Sequence, residues 1–90
     1  MYNVVKRDGQ TVEFEISKIS AAMIKAFEAL NKTYHPSVIN LLALQVTSDF
    51  EKKIENGKIT VEQIQDSVEK ILSESGYADV AKAYILYRKQ

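Results

Sequence analysis

The residues best suited to chemistry in this chain are cations at its two ends. Lys6 and Arg7 lie on or beside a short β-prone run. Lys18 opens the first helical stripe, and Arg88 and Lys89 close the last one. Converging ammonium and guanidinium groups make a receptor for a phosphate chain, provided the fold brings them together. Thr60 adds a hydroxyl at the start of a helical pattern, where the helix dipole also favours an anion. Val4, Phe14 and Ile19 offer apolar cover for a flat base.

Other chemistries lack their parts. The chain contains no cysteine and a single histidine, His35, beside Pro36 in an expected loop, where it reads as a solvated side chain. Thiolate zinc sites, disulfides and thiol nucleophiles are therefore absent, and a reducing, cytoplasmic setting fits. No second histidine shares a metal, and no Ser-His-Asp spacing or GxSxG turn occurs. The three glycines, Gly9, Gly57 and Gly76, build neither GxxxxGK nor GxGxxG. Independent catalysis is not expected. Twelve basic residues balance twelve acidic ones, which argues against a nucleic-acid coat or a polybasic membrane binder. No apolar run approaches the ~18 residues of a membrane span.

The elements that must position these cations follow from periodicity. Val12 and Phe14 alternate with Glu13 and Glu15, and "RDGQ" separates them from Val4 and Val5. Residues 2–15 thus read as a β-hairpin with Asp8-Gly9 as a two-residue turn. Ile19, Ala22, Met23, Ala26, Phe27 and Leu30 form a helical stripe, with Ser17 placed to cap it. A second helix is expected from Pro36, with the stripe Val38, Leu41, Leu42, Val46, Phe50 and Ile54, stopped by Asn56-Gly57. "KIT" at 58–60 can add a third strand. "TVEQ" at 60–63 is a capping-box pattern opening a third helix, whose buried face is Val61, Ile64, Val68, Ile71 and Leu72 and which Gly76 closes. The last helix carries Val80, Ala81, Tyr84 and Tyr87 or Arg88 on one face. The order β-β-α-α-β-α-α predicts an α+β, mostly α domain: a four-helix bundle capped by a small three-stranded sheet. With 90 residues the chain makes one domain. No stop signal precedes Gln90, which fits a segment of a longer protein.

Three segments in order carry a resemblance. "VVKRDGQTVEFEISKI" at 4–19, "ITVEQIQDSVEKIL" at 59–72 and "GYADVAKAYILYRKQ" at 76–90 resemble the ATP-cone domain over nearly the whole of residues 1–90. The resemblance implies an allosteric nucleotide sensor of ribonucleotide reductases. "KITVEQIQDSVEK" and the closing segment are most similar to the anaerobic, glycyl-radical ribonucleoside-triphosphate reductase. It implies ATP as activating and dATP as inhibiting effector, with Mg2+ accompanying the nucleotide. It also implies a reductase catalytic domain and further subunits as partners.

Residue by residue, the resemblance implies phosphate contacts for Lys6 and Lys89, with Arg7 a further candidate. Val4, Phe14 and Ile19 match positions around the adenine, Lys18 the lysine at the first helix, and Thr60 the threonine at the third. Gln65 stands where some members carry a histidine, and Val12 where some carry an acidic residue. A cone in a reductase-gene repressor, following a zinc ribbon, and an interaction module without nucleotide remain the alternatives.

Overall fold

The computed structural model describes residues 2–88. Strand β1 (Asn3–Val5) pairs antiparallel with β2 (Thr11–Glu13), Val4 opposite Val12. The connection differs from a two-residue turn. The Lys6 carbonyl accepts the Gly9 amide at 2.9 Å, and the Lys6 amide donates to the Gln10 carbonyl at 2.8 Å, so Arg7, Asp8 and Gly9 form a three-residue loop. Only Gly9 of the three has positive φ, at 87°. A two-residue primed turn of type I′ would need positive φ at Asp8 as well. Asp8 instead uses its carboxylate to accept the Gln10 amide at 2.9 Å.

Helix α1 (Ile16–Ala29) follows β2 after two residues. Its N-cap is the extended Glu15, without a side-chain cap, so Ser17 lies inside the first turn rather than before it. Helix α2 (Pro36–Phe50) begins at Pro36 as expected. His35 is its N-cap, with Nδ1 accepting the Ser37 amide at 3.1 Å. His35 lies in the loop and is exposed, as expected, and the structure adds its capping role. The buried face of α2 is Ile39, Leu42, Ala43, Val46 and Phe50. It is rotated from the expected stripe and leaves Leu41 55% and Leu44 61% exposed.

The helix ends at Phe50, and a 3-10 turn covers Glu51–Lys53. Asn56-Gly57 is not its stop. Glu55 and Lys58 exchange both backbone hydrogen bonds (3.0 and 2.9 Å) around that pair, with φ of 52° and 73°. This is the two-residue turn that Asn-Gly favours, since both central residues need positive φ. It feeds strand β3 (Lys58–Thr60), which lies parallel to β1 with Val4 opposite Ile59 and Val5 opposite Thr60. The sheet order is β2-β1-β3.

Helix α3 (Val61–Glu74) has the complete capping box. Thr60 Oγ1 accepts the Gln63 amide at 3.1 Å, and Gln63 Oε1 accepts the Thr60 amide at 3.0 Å. Gly76, at φ 88°, ends the segment before α4 (Ala78–Arg88). The helices close a ring in which each packs on two neighbours. Met23 and Phe27 of α1, Val46 and Phe50 of α2, Leu72 of α3 and Val80 of α4 meet at its centre, essentially inaccessible to solvent. Val4 and Ile59 seat the sheet on one end of this core.

Candidate functional site

Three periodicities converge beside the sheet. Side chains two apart on a strand share a face, so the burial of Val4 aims Lys6 toward the helices. On α3, Val61, Ile64 and Gln65 follow the three- and four-residue steps of one helix face. Tyr84, Tyr87 and Arg88 do the same on α4. Between them lies a hollow of about 470 Å³ lined by Lys6, Arg7, Asp8, Val61, Gln65, Tyr87 and Arg88. A second hollow of about 260 Å³ adjoins it. Its walls are Val4, Val12, Phe14, Ile19, Ala22, Ile64 and Tyr84, with Glu13, Glu15 and Lys18 also lining it. Lys6, Val61, Gln65 and Tyr87 line both. The result is one cleft with a cationic compartment and an apolar one.

The cationic compartment is held by polar contacts. Arg7 Nε donates to Glu62 at 3.0 Å, and its Nη2 donates to Gln65 Oε1 at 3.2 Å and to the Arg88 carbonyl at 3.4 Å. Arg88 pairs with Asp66 at 3.3 Å and with Glu69. Among the described residues, Lys6 and Lys18 make no ion pair. Asp8 directs one carboxylate oxygen to the Gln10 amide, back into its own turn. In the apolar compartment, burial pushes the Tyr84 phenol up to about 12.

The structure brings Val4, Lys6, Arg7, Phe14, Lys18, Ile19 and Gln65 to this cleft. Thr60 lies elsewhere, in a hollow with Val5, Lys53 and Lys58. The cause is register: Thr60 is paired with Val5, whose side chain points to the face opposite Val4 and Lys6. Lys89 falls outside the described residues. Val61, Ala22, Tyr84 and Tyr87 are lining residues that sequence reasoning did not assign to the site. A signal for Val61 was present, since it stands four residues before Gln65 on α3.

The family model for the ATP cone domain matches residues 2–90. The chain belongs to the ATP-cone family. This cone is 45% identical over 92 residues to the ribonucleoside-diphosphate reductase subunit alpha of Chlamydia pneumoniae, covering 96% of the cone and 9% of that protein. It is 38% identical over 87 residues to the anaerobic ribonucleoside-triphosphate reductase of Haemophilus influenzae, covering 97% and 12%. It is 41% identical over 93 residues to the vitamin B12-dependent ribonucleoside-diphosphate reductase of Thermoplasma acidophilum, again covering 97% and 12%. The cone thus spans a small fraction of the length of the curated relatives it matches.

Proposed function

We propose that this cone is an allosteric ATP/dATP-binding domain that controls the overall activity of a ribonucleotide reductase, with ATP activating and dATP inhibiting. The observation that carries the reading is the two-part cleft. Phosphates belong in the compartment of Lys6, Arg7 and Arg88, and the base belongs between Val4, Phe14, Ile19 and Ala22. Lys89, next to Arg88, adds to the phosphate group in this reading, and Lys18 serves the rim. Thr60 acts through its cap, which fixes the first turn of α3 and hence Val61 and Gln65.

Both effectors carry the same phosphate charge and differ at the 2′-hydroxyl. The cations therefore supply affinity, and discrimination falls to groups near the sugar and base. Glu13, Glu15 and Gln65 are the acceptors placed for it. The two nucleotides then stabilise different arrangements of the cone against its neighbours in the parent protein, the reductase catalytic domain and its partner subunits. Among the described residues, no cluster of three metal-ligating side chains occurs. Mg2+ in this reading rides on the nucleotide phosphates.

The finer assignment is to a cytoplasmic anaerobic ribonucleoside-triphosphate reductase. It is supported by the closing segments and the Haemophilus influenzae relative. The cited diphosphate-reductase relatives are more identical, at 45% and 41% against 38%, so the coding sequence after Gln90 is the test of parent class. For binding itself the test is calorimetry on the 90-residue chain. ATP and dATP should each bind in the micromolar range or tighter. No heat with either at ~1 mM would overturn the reading.

A further inference from the structure

Arg7 has protein partners in the cleft. Its Nε is taken by the Glu62 carboxylate, and Nη2 is directed to both Gln65 Oε1 and the Arg88 carbonyl. A bidentate grip on a phosphate needs two adjacent N–H donors. With Nε and Nη2 occupied, only Nη1 remains free of these contacts, so a bidentate grip on an incoming phosphate requires a resident partner to give way. Glu62 is the one charged partner, and it stands behind Arg7 rather than among the residues lining the hollow.

We propose that Glu62 is an internal counter-anion that competes with nucleotide phosphates for Arg7 and so sets the affinity threshold of the cleft. The proposal rests on the reading of the cleft as a nucleotide site. The pair is suited to exchange. Its side chains are 53% and 47% exposed, and such ion pairs are weak and screened by salt. Glu62 also has a favourable place to remain once released. It sits in the first turn of α3, where the helix dipole stabilises a carboxylate. Arg7 is thereby held by a contact that a phosphate chain replaces in kind, exchanging one anion for another. Arg88 repeats the arrangement with Asp66 and Glu69, but it is only 17% exposed and shared by two carboxylates, so it is the more fixed of the two cations.

The test compares E62Q with E74Q by calorimetry with ATP and dATP at low salt. E74Q removes the same charge at the far end of α3. E62Q should bind both nucleotides about two- to five-fold more tightly, the range expected from releasing an exposed ion pair, and the gain should shrink with added salt. E74Q should stay near the wild-type affinity. Glu62→Ala should shift affinity in the same direction, which guards against a defect peculiar to the amide. Unchanged or weaker binding by both Glu62 variants, or an equal gain in E74Q, would overturn the proposal. Absence of nucleotide binding by the wild-type chain would instead remove the site reading itself, and it shows without any variant.

Discussion

Arg7 and Arg88 stand 81 positions apart in the chain, yet the guanidinium of the first donates to the backbone carbonyl of the second. This contact ties the hairpin loop to the last turn of α4 and closes the cationic compartment. Replacing Arg7 by alanine should lower stability by less than ~1 kcal/mol, because its partners are exposed. The same change should weaken ATP and dATP together by about ten-fold or more, since charge-assisted hydrogen bonds are worth ~1.5–3 kcal/mol. Urea melts and calorimetry on one preparation separate the two effects.

The apolar compartment makes an independent prediction. Ala22 lines it and is small. Ala22→Leu fills the space proposed for the base, so ATP affinity should fall by about ten-fold, roughly 1.4 kcal/mol. Inorganic tripolyphosphate, which has no base, should bind the variant as it binds the wild type. Competition of the two ligands by calorimetry reads the difference.

Thr60 provides a stability prediction with a binding control. Thr60→Ala removes the hydroxyl that accepts the Gln63 amide and should cost ~1 kcal/mol in a urea melt. Because the side chain faces away from the cleft, the ATP dissociation constant should change by less than about three-fold, the scale of a small indirect effect. A larger loss would mean that the hydroxyl reaches the ligand.

Asp49 contributes to the acid side of the stability profile. Its carboxylate accepts from Lys70 at 2.9 Å and from the buried Ser67 hydroxyl at 2.7 Å. The Lys70 hydrogen bond, followed by that of Ser67, holds its pKa below the ordinary carboxylate value. A depressed folded-state pKa contributes stability that is complete above the unfolded value. That contribution fades as pH falls through the folded one. Stability should therefore drop below the normal carboxylate range, and Asp49→Asn should flatten that limb. Asp49→Ala strands the Ser67 hydroxyl and should cost ~1–3 kcal/mol near neutrality. Denaturant melts across pH 2–7 check both.

Much of the fold was legible because its signals are local. The capping box at Thr60 and Gln63, Pro36 at the first turn of α2 and the alternation through Val12 and Phe14 each depend on neighbours within a few positions. The phase of α2 was not legible. Val38, Leu41 and Leu44 supply a second apolar track beside the true one, and tertiary packing chose Ile39 and Ala43 instead. Asn56-Gly57 fits a helix stop and a hairpin turn equally well, and only the pairing of Glu55 with Lys58 separates them. In the cleft, Lys6 and Gln65 could be singled out by residue type and family pattern. Val61 carried a local signal in its spacing from Gln65, but the turning of Thr60 away from the cleft did not. That turning is set by the parallel register of β1 and β3, a relation between distant segments that no local pattern encodes.

The sheet order has a consequence for how the protein is made. The strand synthesised first, β1, ends as the central one, flanked by β2 and by β3. During translation the hairpin emerges with one edge of β1 unpaired, and it stays so until Lys58–Thr60 has cleared the ribosome. Anchoring of the nascent hairpin by α3 and α4 is later still. Productive folding is thus a late event in the synthesis of this domain. A pause or truncation before β3 leaves a sticky strand edge rather than a smaller stable unit.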